Sequence, residues 1–316
     1  LFLLITHRVQ IMNLAAAIGK TPLVRLSSIV PANSAEVWVK YEGNNPTGSY
    51  KDRMAYGVIR KALDRRDLKV GDRICEYTGG STGTSIAFVS SILGLKFTAV
   101  TSNAFAASKI QAIRTYGADV LLVESSDGKL NPDLFARMKD KVRELVDAEG
   151  IFYFDQFGSP DIRPSYAPMG AEIAEGMDGK IDAYCAAVGT GGSLMGTIDG
   201  LLACGVTPDF YALEPVQSPM LTTGTGASHL VEGIALGFVP PLLEMNLIKE
   251  VRAIDQEAGF EMCRTLAKQE GILAGGSTGL NVVAALDLAK ELGPGKRVVT
   301  VACDNGIKYL GGHIYS

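Results

Sequence analysis

Four glycine-rich segments, each lying between a strand-like run and a helical pattern, hold the residues best suited to chemistry. Asn45-Pro46-Thr47-Gly48-Ser49-Tyr50-Lys51-Asp52-Arg53 sets Lys51 at the head of a helix. There the helix dipole and free amides disfavour a protonated amine, and a lysine with a lowered pKa suits Schiff-base nucleophilic work. Position alone favours an ordinary surface lysine. Thr78-Gly79-Gly80-Ser81-Thr82-Gly83-Thr84-Ser85 offers hydroxyls and amides that suit a carboxylate or phosphate. A polar turn with a Ser or Thr N-cap explains it equally well. Gly189-Thr190-Gly191-Gly192-Ser193 follows an apolar run and favours anion binding by backbone amides. It is neither a Walker A loop nor a dinucleotide fingerprint, because no Gly-Lys-Ser/Thr follows and the third glycine is misplaced. In Gly275-Gly276-Ser277-Thr278-Gly279, Ser277 reads first as a helix cap.

These loops need elements to position them. Alternation predicts strands at 36–41, 73–77, 96–101, 119–123, 151–154, 183–188, 210–213 and 297–302. Helical spacing predicts helices at 52–66, 82–93, 106–116, 193–203, 258–269 and 279–292. Another runs to Glu149, with Asn131 as N-cap, Pro132 in the first turn and Gly150 ending it. Strand–helix alternation along the chain argues for α/β architecture with parallel sheets. In such sheets ligands gather at the carboxyl ends of strands, where these loops fall. The length of 316 residues suggests about two domains, with a boundary near residue 150.

Composition narrows the function classes. Thirty-six residues are glycine, above the usual fraction of about 7%. With 47% hydrophobic and 20% charged residues, the chain is an ordinary globular one. A formal net charge of −4 gives no footprint for nucleic acid or an anionic membrane. Cys75, Cys185, Cys204, Cys263 and Cys303 are scattered, and only His7, His229 and His313 exist, so a structural metal site is not expected. An odd cysteine count fits a reducing compartment. Residues 1–11 read as an extension or upstream start before Met12. Their apolar run is shorter than a signal peptide's core of about 7–15 residues. A cytoplasmic protein is expected.

Taken together, the segments resemble the cysteine synthase and cystathionine β-synthase family of fold type II pyridoxal-phosphate enzymes. The resemblance starts at Ile18-Gly19-Lys20-Thr21-Pro22-Leu23 and passes through the Lys51 motif, the Thr78 loop, Asp155-Gln156-Phe157 and the Gly189 loop. Glu214-Pro215, Ser218-Pro219, Glu232-Gly233-Ile234, Glu270-Gly271-Ile272-Leu273 and the Ser277 loop complete it, over about residues 12–310. It implies a tryptophan synthase β-subunit-like fold: two three-layer α/β/α domains with the active site between them. Residues 40–150 would form a smaller N-terminal domain with a mobile part. Residues 12–39 and 151–316 would form a larger one.

The same resemblance assigns roles. Lys51 aligns with the Schiff-base lysine and would remove and return the donor's α-proton. Gly189, Thr190, Gly191, Gly192 and Ser193 align with the loop for the phosphate of pyridoxal 5'-phosphate. Ser277 aligns with the serine at the pyridine nitrogen, a neutral partner that suits prompt β-elimination. Thr78, Gly79, Gly80, Ser81 and Thr82 align with the loop for the donor α-carboxylate, and Gln156 with a substrate-side glutamine. No metal is implied. Three departures touch the substrate side, one being Gly158-Ser159-Pro160-Asp161 after Gln156 in place of an Asn-Pro-rich stretch. Ser81 stands where the family has an asparagine that contacts the cofactor ring oxygen. Cys303-Asp304-Asn305-Gly306 replaces Pro-Asp-Ser-Gly.

The expected reaction is β-replacement, forming L-cysteine from O-acetyl-L-serine and sulfide through an α-aminoacrylate. The alternatives are cystathionine β-synthase-like activity, or dehydration of serine or threonine. A cofactor-binding regulator with little catalysis has only Ser81 in its favour. The expected partners are a small amino acid, sulfide or a thiol, and a second copy of the chain. Cys303 and Trp38 read as packing residues, and His229 as a loop residue.

Overall fold

The computed structural model describes residues 13–125, 128 and 132–316. The extension at residues 1–11, the start at Met12 and the N-cap Asn131 lie outside the described residues. The strands, in chain order, are β1 (Leu23–Arg25), β2 (Glu36–Tyr41), β3 (Arg73–Tyr77), β4 (Lys96–Thr101), β5 (Asp119–Leu122), β6 (Phe152–Tyr153), β7 (Ala183–Ala187), β8 (Asp209–Pro215), β9 (Glu250–Ile254) and β10 (Arg297–Ala302). The helices are α1 (Lys51–Arg65), α2 (Ser81–Leu93), α3 (Ala107–Thr115), α4 (Pro132–Glu149), α5 (Ile162–Gly176), α6 (Gly192–Ala203), α7 (Met220–Thr223), α8 (Gln256–Thr265) and α9 (Gly276–Leu292).

The strands form two sheets. One has the order β1-β2-β10-β7-β8-β9 and the other β5-β4-β3-β6. Every pairing is parallel except β1 with β2. Parallel strands require crossovers, and helices supply them here. Where both faces are covered a strand is apolar along its whole length, as in the fully buried β7. In β7, Tyr184 and Ala186 face one core while Ala183, Cys185 and Ala187 face another. The first core lies between the sheets and takes residues from α1, α2, α5 and α6. The second lies under α8 and α9, and a third joins α4 to β3 and β4.

Two differences from the sequence reading have clear causes. α5 does not stand out in the sequence because Pro168 is inside it and glycine interrupts its pattern. Its glycine is a packing device. A Cβ on Gly170 would lie 2.2 Å from the Thr197 carbonyl oxygen, and one on Gly200 would lie 2.0 Å from that of Ala167. The α5 and α6 backbones therefore touch where side chains would hold them apart. The helix read at 258–269 is α8 continued by a π-turn at Leu266–Glu270, closed by Gly271 at φ +70°. β1 and β9 add edge strands to the larger sheet. β6 joins the smaller sheet through β3, although it follows residue 150 in the chain.

Candidate active site

α1 begins at Lys51, immediately after the Asn45–Tyr50 turn. That turn is stitched to the chain's last strand. Tyr50 N–H donates to the Cys303 carbonyl at 3.0 Å, and Asn305 N–H donates to the Gly48 carbonyl at 2.8 Å. The 303–306 segment is tied in turn to the Ser277 loop: Cys303 N–H donates to Thr278 Oγ1 at 3.1 Å and Gly306 N–H to the Leu273 carbonyl at 3.0 Å. The Lys51 turn and the Ser277 loop, more than two hundred residues apart, are thus joined through the end of β10.

Lys51 Nζ lies 4.7 Å from the centre of the Tyr50 ring and has no hydrogen-bond acceptor among the described residues. Burial pushes its pKa down to about 8, against the attraction of Cys303 and Asp304. Such an amine is partly neutral in mildly alkaline solution and can take a proton. Cys303 is buried, and burial raises its thiol to about 12, so it stays protonated. It faces Ser277, Lys51 and Tyr50. The sequence places it at a strand end near the site and reads it as a buried packing thiol, and buried it is. Asn281 on α9 lies beside it: its Nδ2 donates to the Val301 carbonyl at 2.8 Å and approaches Cys303 Sγ at 3.6 Å.

The Gly189–Ser193 loop forms the N-terminal end of α6, with Gly191 at φ +82°. A Cβ on Gly189 would lie 2.3 Å from the Gly233 carbonyl oxygen, and one on Gly192 2.3 Å from Ile162 Cγ2. The Gly191 and Ser193 N–H groups have no acceptor among the described residues. Free amides on a helix N-terminus, cleared of side chains, fit a phosphate group. The Tyr50 phenol faces Ser193 across this loop. A phosphate-bearing cofactor therefore fits between the α6 terminus and Lys51.

The Thr78–Thr82 loop forms the N-terminal end of α2, on the smaller sheet's side. Thr78 Oγ1 accepts the Gly83 N–H at 3.2 Å, leaving the Ser81 and Thr82 N–H groups without acceptors among the described residues. Phe105 covers Gly79 so closely that a Cβ there would lie 2.1 Å from its ring. Ser81 Oγ accepts a hydrogen bond from Lys308 Nζ at 3.0 Å. Gln156 is brought to this loop: Thr82 Oγ1 donates to its Oε1 at 3.0 Å, and its Nε2 donates to the Tyr77 carbonyl at 3.2 Å. Gln156 follows Asp155, which holds φ +52°, an uncommon conformation away from glycine.

Glu76 is the buried support of that turn, and nothing in the sequence marks it. Its Oε2 accepts the Gln156 N–H at 2.9 Å and its Oε1 the Tyr77 N–H at 2.9 Å. Burial raises it to about 8, with Asp155 adding to the rise. His229 is spent elsewhere: its Nδ1 accepts the Val231 N–H at 3.2 Å, leaving Nε2 to donate to the Ala235 carbonyl at 3.1 Å. No group of three or more His, Cys, Asp or Glu that could hold a metal ion occurs among the described residues. Nor, among them, is any helix long and apolar enough to cross a membrane.

Comparison with known proteins gives the family and the fold. The family model described as "Pyridoxal-phosphate dependent enzyme" matches residues 14–304. A cysteine synthase of Staphylococcus aureus is 38% identical over 307 residues, covering 96% of this chain and 97% of that one. The crystal structure of O-acetyl serine sulfhydrylase isoform 3 from Entamoeba histolytica superposes with TM-score 0.90 at 29% identity, covering 98% of this chain and 93% of that one. An O-acetylserine dependent cystathionine beta-synthase from Helicobacter pylori superposes with TM-score 0.88 at 31% identity, covering 97% and 99%.

Proposed function

The chain belongs to the cysteine synthase and cystathionine β-synthase family of fold type II pyridoxal-phosphate dependent enzymes, and from that premise we propose that it forms L-cysteine from O-acetyl-L-serine and sulfide. It is a pyridoxal-phosphate enzyme of the β-substituted alanine synthase type. The observation that carries the reaction is the convergence of three loops on Lys51. Three contacts support this reading: Tyr50 beside Lys51 faces Ser193 at the α6 terminus, Cys303 faces Lys51 and Ser277, and Ser81 at the α2 terminus meets Lys308, whose neighbour Asp304 faces Lys51.

Bound pyridoxal phosphate supplies an electron sink for negative charge at the donor α-carbon. Lys51 holds the cofactor and, once freed, its Nζ takes the α-proton and later returns it. The Gly189–Ser193 amides hold the phosphate. Ser277 serves the ring nitrogen with a neutral hydroxyl, which does not favour a long-lived carbanion. The amides of Gly79, Gly80, Ser81 and Thr82, with Thr78 and Gln156, hold the donor α-carboxylate and fix which face Lys51 meets. The four-stranded sheet with its helices acts as the smaller, closing domain and the six-stranded sheet with its helices as the larger. The bounds at 40 and 150 therefore shift, leaving Lys40 and Tyr41 in the larger and bringing β6 into the smaller. A cytoplasmic homodimer belongs to the same reading.

The test is product analysis with purified holoenzyme. Cysteine is expected from O-acetyl-L-serine and sulfide, with Lys51→Ala reducing the rate by about 10³-fold. The Helicobacter pylori likeness supports homocysteine as a second acceptor. Cystathionine forming faster than cysteine would move the assignment to that reaction. Ammonia released without sulfide would move it to dehydration.

A further inference from the structure

One cation on the cleft is used by no step above. Lys308 sits on a 3₁₀ turn at Gly306–Tyr309, just past the 303–306 segment, and reaches across to the smaller domain's side. Its Nζ lies 3.0 Å from Ser81 Oγ, a contact between residues 227 positions apart. Its side chain is 24% exposed, so the ammonium meets the cleft as well as the protein.

Lys308 is not fully occupied. Its carboxylate neighbour is Asp304, whose Oδ2 lies at 3.4 Å and already accepts the Tyr309 phenol at 2.7 Å. An ammonium has three donors, and these two contacts leave one to spare. Lys51, Lys109 and Lys308 all face Asp304, and Lys109 is paired with Glu232. Lys308 also faces Asp52, so three carboxylates lie near these three lysines. Beside Lys308, the Ser81 and Thr82 N–H groups at the head of α2 have no acceptor among the described residues.

We infer that Lys308 binds the α-carboxylate of the amino-acid donor, together with the Ser81 and Thr82 amides, and makes the site demand that negative charge. This rests on reading the Thr78–Thr82 loop as the donor-carboxylate site. A carboxylate there would accept the spare Lys308 donor while filling both free amides. Charge-assisted hydrogen bonds of this kind are shorter and stronger than neutral ones. Because Lys308 and the loop belong to different sheets, the same contact would draw the two sides of the cleft together around the donor.

The experiment uses holoenzyme in three forms: wild type, Lys308→Gln and Lys308→Arg. The change in the cofactor's visible band is titrated with O-acetyl-L-serine and with its neutral carboxamide, O-acetyl-L-serinamide. Wild type is expected to bind the acid much more tightly than the amide. Lys308→Gln is expected to weaken the acid by about tenfold or more and to leave the amide unchanged. Lys308→Arg should restore part of the preference. An unchanged acid affinity in Lys308→Gln overturns the inference, as does equal weakening of acid and amide, which marks a loop merely disturbed. A changed band in the donor-free Lys308→Gln enzyme, with unchanged acid affinity, places the lysine on the cofactor and also overturns it. A wild type that holds cofactor yet ignores every donor overturns the parent reading, and this inference with it.

Discussion

Burial moves two ionisable side chains near the cleft in opposite directions, each to about 8. Burial disfavours the charged form of each, lowering the Lys51 ammonium and raising the Glu76 carboxyl. Lys51 was legible in the sequence because it lies in a local motif. Glu76 was not, because its partner Gln156 is eighty residues away. Glu76 gives a stability prediction with a definite sign. Its folded pKa is above its ordinary value of 4.5, so the folded chain holds the proton more tightly. That contribution is full below 4.5 and is lost as pH rises through about 8. Groups facing Glu76 are Asp155, Tyr77, Tyr153 and Cys75, and they remain in both proteins compared. Urea midpoints measured from about pH 5 to about pH 9 should fall more steeply for wild type than for Glu76→Gln. Parallel slopes would remove Glu76 from the account.

At the scale of elements, regular alternation and local capping made most strands and helices readable. β2, β3, β4 and β10 fall at the bounds the alternation predicts. What was not readable was α5, where the reason for each residue lies on a neighbouring helix. Gly200 shows this. In an exposed helix, Gly→Ala stabilises by up to about 1 kcal/mol. Here the new Cβ would lie 2.0 Å from the Ala167 carbonyl oxygen, a backbone atom that cannot rotate away. Gly200→Ala should therefore destabilise, by about 1–3 kcal/mol. Chemical denaturation gives the sign directly, and a stabilised variant would show that α5 and α6 are not so closely packed. The same dependence on distant residues hid Lys308, whose contact with Ser81 no local pattern encodes.

Across the whole molecule, a buried ion network fixes the start of α1 relative to the chain's beginning. Arg53 is bound by Glu42 at 2.6 Å and Glu172 at 2.7 Å. Lys40 pairs with Glu172 at 2.7 Å and donates to the Thr21 carbonyl at 2.6 Å, and Thr21 Oγ1 donates to Glu42 at 2.6 Å. The Gly19-Lys20-Thr21 motif is thus a lock on the helix that carries Lys51. Gly19 N–H donates to Asn45 Oδ1 at 2.8 Å, closing the lock on the Lys51 turn itself. Arg53→Met would leave Glu42 buried without its main partner and should cost about 3–5 kcal/mol. Adding Glu42→Gln should recover part of that loss, and equal urea midpoints for all three proteins would show the network to be stabilising nothing. The resemblance in the sequence gave the two-domain plan and the site motifs together, because the motifs recur in order. It did not give the contacts that join them, such as Lys109 with Glu232 and Lys308 with Ser81.

The most direct measurement is the visible absorption spectrum of the purified protein, before and after O-acetyl-L-serine and again after sulfide. The account requires a yellow protein whose band shifts with O-acetyl-L-serine and returns when sulfide is added, with cysteine released. A yellow band that does not respond to O-acetyl-L-serine would contradict the proposed donor and leave the cofactor in place. No band after reconstitution with pyridoxal phosphate would contradict the site itself.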